Sequence, residues 1–228
     1  MICGWRSNQC RAGQFADDIS LWTTNSNKKI TFLRMQRALS DIEAWCSKWR
    51  IKLNVAKTQL FCTSLKRQKR ELKLFGRQIT ETNELSLLGV TFDKRHSFIP
   101  HCRKKAAEGM RRVQLLRVVS GRNWGANRRT LLKLYKQFIR PVLDYGHVST
   151  YMAAGSGLEL LQRVQNSALR LALRAHRRTS IAGLHAAAGM EVMAARLHTL
   201  KQKSVGRFAD SECVRALATQ SEVMALAE

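Results

Sequence analysis

The sequence predicts an α+β protein in which a segment of short strands and one long helix is followed by a mainly helical remainder. Short apolar runs, separated by turn-forming residues, are concentrated in residues 1–95, and this pattern is typical of small hairpins. From residue 97 onwards the apolar residues recur at helical spacing, and glycine and proline are scarce. A chain of 228 residues with 45% hydrophobic content is long enough for one or two cores.

The first predicted element is a β-hairpin over residues 14–22. Two short apolar arms flank the pair Asp17 and Asp18, which would occupy the turn. Adjacent carboxylates of this kind are not buried unpaired, because their desolvation costs too much. They are therefore either solvated turn residues or ligands of a cation, and the dipeptide alone favours the turn.

A long helix is predicted next, capped by Asn25 or Ser26. Its apolar residues are four, three and four positions apart and share one face, with both tryptophans expected in the core: Ala38, Ile42, Trp45 and Trp49. Residues 59–63 are predicted to form a strand, and residues 64–95 a small antiparallel hairpin or meander.

The remainder of the chain is predicted to be helical. One helix covers residues 97–119, with Pro100 in its first turn, and another covers residues 126–145, where Pro141 kinks or breaks it. The run Gly155-Ser156-Gly157 predicts a hinge. Further helices are expected at residues 158–174, 180–188, 190–208 and 211–226. The predicted domains are residues 1–95, 96–153 and 154–228.

The net charge is strongly positive, at +24, since 40 Lys and Arg residues stand against 16 Asp and Glu residues. This excess predicts a polyanionic partner, and nucleic acid is the commonest one. An anionic membrane surface and a purely solubilising charge are the alternatives. No apolar run is long enough to span a membrane, and the N-terminus has no signal-peptide pattern. We therefore expect an intracellular protein, in the nucleus or the cytoplasm.

An ordered set of motifs resembles the reverse transcriptases of non-LTR retrotransposons, in their LINE/jockey-like branch. The set covers roughly residues 12–200. It comprises Phe15-Ala16-Asp17-Asp18, residues 42–49, Asn54-Val55-Ala56-Lys57-Thr58, Leu88-Gly89-Val90-Thr91-Phe92-Asp93, and residues 121–125, 139–146 and 161–166. The resemblance implies a partial palm with a small hairpin, then a helical thumb and a C-terminal helical region.

The resemblance also implies roles for five residues. Asp17 would ligate Mg²⁺ directly, and Asp18 would ligate it weakly or shape the site. Lys57 would face the triphosphate as a charge stabiliser or general acid, unless it is an ordinary solvated lysine. Leu88 and Gly89 would present their backbone to the primer end, as a primer grip, unless the hairpin is a routine one.

The function that the resemblance implies is nucleotidyl transfer, the RNA-directed synthesis of DNA from an RNA template and a DNA primer. The family has a further metal-binding aspartate well upstream of its Asp-Asp motif, and only fourteen residues precede Phe15. We therefore expect an N-terminally truncated fragment that does not polymerise DNA alone. A non-catalytic RNA-binding protein and a decayed remnant of a mobile element are the alternatives.

A basic amphipathic helix is predicted over residues 103–117. Basic residues seven positions apart share one side of a helix, because seven residues make nearly two turns. This helix resembles the thumb helix that tracks the template–primer backbone, and a solvated charged face is the alternative. The candidate nucleic-acid-binding residues here and in the next helix are Lys104, Lys105, Arg111, Arg112, Arg128 and Arg129.

Overall fold

The computed structural model describes residues 10–63, 71–121 and 124–208, apart from the side chains at 205, 207 and 208. It shows a mixture of helices and small two-stranded sheets, so the predicted α+β class is confirmed. The chain divides into two compact units, residues 1–85 and 86–228. The helix predicted at residues 211–226 lies outside the described residues, and the three-domain division stays a prediction.

The first unit begins with the hairpin that the sequence predicts. Strands β1 (Arg11–Phe15) and β2 (Asp18–Trp22) pair antiparallel, with Phe15 opposite Asp18. A two-residue loop of Ala16 and Asp17 joins them, so both acids lie at the tip.

Helix α1 (Lys28–Trp49) follows the hairpin. Its cap is Asn27, whose side-chain oxygen accepts a hydrogen bond from the Lys29 amide at 2.9 Å. The capping residue thus lies one or two positions after the predicted ones. This cap provides a hydrogen-bond partner for an amide in the first turn that would otherwise have none.

The buried face of α1 differs from the predicted one. It consists of Ala38, Leu39, Ile42 and Cys46, so it is rotated away from the stripe that carries the tryptophans. The prediction that both tryptophans pack in the core is wrong for Trp49, which is 61% exposed in the last position of the helix. Trp45 is partly buried, at the edge of this face.

Four short strands form the other sheets of the first unit. Strand β3 (Gln59–Phe61) is where the sequence predicts a strand, and it pairs in parallel with β6 (Thr80–Thr82). The antiparallel hairpin predicted within residues 64–95 is confirmed for β4 (Lys73–Leu74) and β5 (Arg77–Gln78). The parallel pairing of β6 with β3 was not predicted. The core of the unit consists of Leu39, Leu72, Leu74 and Ile79.

A second hairpin, of β7 (Glu84–Leu87) and β8 (Val90–Asp93), leads into helix α2 (Ile99–Val118). Pro100 lies in the first turn of α2, as predicted. The Asp93 carboxylate fixes the connection, since it accepts hydrogen bonds from the amides of Phe98 at 2.8 Å and Ser97 at 3.1 Å. Burial alone would raise the pKa of Asp93, but these hydrogen bonds lower it below its usual value.

Six more helices follow in the described residues of the second unit. They are α3 (Arg128–Leu134), α4 (Arg140–Asp144), α5 (His147–Tyr151), α6 (Gly155–Leu173), α7 (Ile181–Ala188) and α8 (Met193–Phe208). The break predicted at Pro141 is confirmed, because a π-helical turn over Tyr135–Ile139 separates α3 from α4. The hinge predicted at residues 155–157 is wrong, since these residues begin α6.

Helices α2 and α6 cross at glycines, which allow their backbones to approach closely. A Cβ on Gly109 of α2 would lie 2.9 Å from Cδ2 of Leu143 and 3.0 Å from Cγ1 of Val164. A Cβ on Gly157 of α6 would lie 3.1 Å from Sγ of Cys102. The large side chains around this crossing are fully buried, among them Leu131, Tyr135, Ile139, Leu143, Leu161 and Leu169. Within the described parts of the chain, no helix is long and apolar enough to cross a membrane.

Candidate active site and nucleic-acid interface

The acidic pair lies at the exposed tip of the β1–β2 hairpin. Asp17 and Asp18 are both exposed, and no ion pair joins either carboxylate to another described residue. Ala16, which precedes them, has φ = 51°, a backbone conformation that non-glycine residues rarely adopt. Gln14 spans this turn, since its side-chain amide donates to the Ala16 carbonyl at 3.1 Å. The hairpin therefore presents two solvated carboxylates from a fixed turn.

The two carboxylates fit part of a magnesium site. Carboxylate oxygens are ligands that Mg²⁺ prefers, and it usually binds to one or two of them together with water and phosphate oxygens. Among the described residues, no group of three or more His, Cys, Asp or Glu side chains converges on a common point. Asp17 and Asp18 are thus suited to bind a cation but do not by themselves form a closed metal cage.

Lys57 lies in a tight turn that its own motif builds. The side-chain oxygen of Asn54 accepts from the Lys57 amide at 3.3 Å, and the Thr58 hydroxyl donates to the Asn54 carbonyl at 3.0 Å. These bonds close the 3₁₀ turn Val55–Lys57, which leads directly into β3. Lys57 is exposed, and no hydrogen bond or ion pair between described residues joins it to Asp17 or Asp18. These structural roles of Asn54 and Thr58 were not predicted, although asparagine is a common helix cap.

The turn between β7 and β8 consists of Leu88 and Gly89, and both have positive φ, at 47° and 77°. This combination is typical of a two-residue type I′ hairpin, and it strains a bulky residue such as leucine. The Tyr145 hydroxyl donates to the Leu88 carbonyl at 2.5 Å and holds the turn in place. A Cβ on Gly89 would lie only 3.0 Å from the Tyr145 ring, so glycine is required there.

His101 joins the same hairpin to the helices behind it. Its Nδ1 accepts a hydrogen bond from the Thr91 amide at 3.3 Å, and its Nε2 lies 3.3 Å from the Tyr145 carbonyl. Burial lowers the pKa of His101, and the nearby Lys105 and Lys104 lower it further. A neutral ring can serve both partners, since one nitrogen accepts while the other donates.

The six basic candidates differ in what they contact. Arg111 and Arg129 are exposed, and neither forms an ion pair with a described residue. The Lys104 ammonium donates to the Thr91 hydroxyl at 3.3 Å, and the Lys105 ammonium lies 4.4 Å from the centre of the Tyr145 ring. Arg111 and Arg129 are therefore the members of the set most open to a phosphate.

Arg112 and Arg128 have partners within the protein. Arg112 pairs with Glu108 at 2.9 Å and donates to the Phe138 carbonyl at 2.6 Å, next to the helix break before Pro141. Arg128 donates to the Ala187 carbonyl at 2.5 Å. The sequence places Arg112 seven residues after Lys105 but gives no sign of the partner at Phe138, which is distant along the chain.

Comparison with known proteins gives a family for these features. Residues 1–92 match the family model described as "Reverse transcriptase (RNA-dependent DNA polymerase)". Residues 1–92 of the chain therefore belong to the reverse transcriptase family. This match contains the Asp17-Asp18 hairpin, the Lys57 turn and the Leu88-Gly89 turn, and it confirms the resemblance to retrotransposon reverse transcriptases.

Two relatives of the chain come from Drosophila melanogaster. The probable RNA-directed DNA polymerase from transposon BS is 30% identical over 159 residues, which are 68% of this chain and 18% of the relative. The probable RNA-directed DNA polymerase from transposon X-element is 26% identical over 164 residues, 69% of this chain and 17% of the relative. The chain thus spans less than a fifth of the length of either relative. No solved structure matches it significantly.

The Leu88-Gly89 turn is expected to loosen in Tyr145→Phe. The change removes the donor to the Leu88 carbonyl but keeps the ring, so it should cost about 1 kcal/mol of unfolding free energy. The amides of residues 86–91 should then exchange hydrogen faster, as measured by mass spectrometry.

Tyr151→Phe is the matched control for this change. It removes the same atom from a tyrosine whose hydroxyl has no hydrogen bond to a described residue, so exchange at residues 86–91 should stay as in the wild type. Equal exchange in both variants would contradict the bracing of the turn by Tyr145.

Proposed function

We propose that this chain acts as part of the RNA-directed DNA polymerase of a non-LTR retrotransposon. In this role it provides one portion of the metal site and binds the RNA template and DNA primer. The observation that carries the proposal is the exposed Asp17-Asp18 pair at a hairpin tip, inside the segment that matches the reverse transcriptase model.

The chemistry proposed for the hairpin tip is metal-ion catalysis. Asp17 would ligate Mg²⁺ directly, with Asp18 as a weaker ligand or as a residue that shapes the turn. Divalent metals in such sites stabilise the attacking and leaving oxygens of an in-line displacement. Lys57, exposed at the end of its turn, would bring an ammonium to the triphosphate, where it would balance the negative charge. Leu88 and Gly89 would position the primer end.

The site is proposed to be completed by residues beyond this set. A two-metal site needs more carboxylates than one dyad, and the described residues bring no third acid into a cluster with Asp17 and Asp18. We therefore propose that the chain polymerises DNA only together with a further reverse-transcriptase segment that carries the missing aspartate. Alone, it would bind template–primer without extending it.

Binding is proposed to rest on exposed basic residues of the second unit. Arg111 on α2 and Arg129 on α3 are exposed and have no described ion-pair partner, so their charge is open to the backbone phosphates. Contacts of this kind position a nucleic acid without reading its sequence. The overall charge of +24 adds attraction at longer range.

The test is the affinity of the whole chain for a fluorescent RNA–DNA template–primer, measured by anisotropy as the salt concentration rises. With six or more phosphate contacts, affinity should fall about 1,000-fold or more between roughly 50 and 200 mM salt. The double variant Arg111→Gln/Arg129→Gln should bind more weakly and reduce the slope of log affinity against log salt by about 2.

The control for this pair is Lys28→Gln/Lys29→Gln, which removes the same charge from the start of α1. It should change the affinity and the slope much less. Affinity that does not depend on salt, or no binding by the wild type, would contradict the proposed function.

A further inference from the structure

A cleft of about 480 Å³ lies beside the helix break in the second unit. None of the residues assigned to the metal site or the primer grip lines it, although Tyr145, which holds the Leu88 turn, does. Its charged and histidine lining residues come from three helices and the π-helical turn: Lys136, Arg140, Asp144, His147 and Arg196.

The lining of the cleft is cationic. Three of its residues carry a permanent positive charge and only Asp144 carries a negative one, so two positive charges are uncompensated within the lining. Lys136 is exposed and has no ion pair with a described residue. His147 is held in place by the Ser204 hydroxyl, 2.6 Å from its Nε2. A concave site with this excess of positive charge attracts an anion.

The two arginines are fixed before any ligand arrives. Arg196 donates from both Nη2, at 3.1 Å, and Nε, at 3.3 Å, to the same oxygen of Asp144. The Nε of Arg140 lies 3.6 Å from that oxygen as well. Their side chains are only 21% and 23% exposed, so little conformational freedom is left to lose on binding. The remaining guanidinium N–H groups are suited to phosphate oxygens.

The break in the helix accounts for the cleft. Pro141 has no amide hydrogen, and the π-helical turn Tyr135–Ile139 widens the chain just before it. Gly146, with φ = 66°, then reverses the chain where a Cβ would meet His101 and Val90 at 3.1 Å. Turns of the π type occur frequently at functional sites.

We propose that this cleft binds a phosphate group of a nucleic-acid backbone, with Arg140, Arg196 and Lys136 as the donors and Asp144 as a positioning residue. The proposal rests on the proposed function, because it names a contact that the bound nucleic acid makes. A phosphodiester carries a single charge, which the two uncompensated cations of the lining are able to balance. A magnesium-bound nucleotide fits less well, since both arginines already engage Asp144, the one carboxylate of the lining.

Lys136→Gln in the whole chain tests the cleft through the same anisotropy assay. One lost phosphate contact should weaken binding about three- to tenfold at moderate salt and reduce the slope of log affinity against log salt by about 1. Lys203→Gln is the matched control, because Lys203 is an exposed lysine on α8, the helix of Arg196, and does not line the cleft. It should change the affinity by less than about twofold.

Lysine acetylation of the wild-type chain gives a second readout that needs no variant. A DNA or RNA oligonucleotide should protect Lys136 from the reagent and leave Lys203 reactive, as read by mass spectrometry. Pyrophosphate and deoxynucleoside triphosphate, at the same phosphate concentration, should protect Lys136 much less. Equal or stronger protection by these compounds would overturn the backbone assignment in favour of a free phosphate compound.

The outcomes separate this inference from the proposed function. If the wild type binds template–primer with the expected salt dependence, while Lys136→Gln and Lys203→Gln bind equally well, the cleft assignment fails and the proposed function stands. If the wild type binds no nucleic acid, both fail. Weaker binding by Lys136→Gln together with selective protection of Lys136 supports the cleft.

Discussion

A reverse transcriptase assembled with this chain is expected to lose about 100- to 1,000-fold of its primer-extension rate when Asp17 is replaced by asparagine. Asparagine keeps the shape of the side chain and one oxygen ligand but removes the negative charge that binds the cation. Metal ions in such sites contribute several kcal/mol to the stability of the transition state, and about 1.4 kcal/mol corresponds to a factor of ten in rate.

This prediction requires a protein with a complete metal site. A suitable one joins the whole chain to a reverse-transcriptase segment that carries the missing aspartate. Asp41→Asn is the matched control, since Asp41 is an exposed acid on α1 in the same unit. This variant should leave the primer-extension rate unchanged. Both variants should bind template–primer like the parent protein, so that the loss can be assigned to chemistry.

Gly109→Leu is expected to destabilise the second unit by about 3 kcal/mol or more. Even the first added carbon would lie 2.9 Å from Leu143, whose side chain is fully buried and has no space to move into. Overpacking a core typically costs about 1–3 kcal/mol, and leucine adds three further carbons at the crossing of α2 and α6. The midpoint of denaturant unfolding, followed by helical circular dichroism, should fall accordingly.

Gly206→Leu tests whether this cost comes from the crossing. Gly206 lies in α8, and a Cβ there would meet no atom within 4 Å. Leucine also favours helix over glycine by about 0.5–1 kcal/mol, so this variant should be neutral or slightly stabilised. If the two variants unfold at the same denaturant concentration, the close approach of α2 and α6 at Gly109 does not contribute to the stability of the second unit.

Local patterns were sufficient to predict the hairpin of the acidic pair and most of the helices. A two-residue turn between apolar arms depends on neighbouring residues, which is why the position of Asp17 and Asp18 at the tip is confirmed. The break at Pro141 follows from the missing amide hydrogen of proline. Both features are set by a few consecutive residues, so the sequence is sufficient to predict them.

The wrong predictions concern which face of an element meets the rest of its unit. Periodicity placed Trp49 on an apolar stripe, but the packing of α1 on the strands selects a stripe through Leu39 and Cys46. The two glycines at residues 155–157 predict a hinge, but they begin α6, and the lack of a side chain at Gly157 lets Cys102 pack closely against it. Tertiary contacts decide both cases, and no local pattern reports them.

The missed residues act across long distances in sequence. Tyr145 holds the turn at Leu88, 57 residues away, and Arg112 binds the Phe138 carbonyl, 26 residues away. The sequence motif at residues 139–146 is part of the resemblance, but it does not indicate the contact of Tyr145 with Leu88. The six basic candidates therefore include both exposed residues and residues that bind within the protein, and only the packing of the helices distinguishes the two kinds.

Single-nucleotide incorporation by the joined polymerase tests the central claim most directly. With Mg²⁺ and an RNA template, it should add the nucleotide complementary to the next template base, change its choice when that base is changed, and fall to background in Asp17→Asn. A joined protein that binds template–primer with the expected salt dependence but incorporates nucleotide equally well with and without Asp17 would contradict the assignment of the hairpin to the polymerase site.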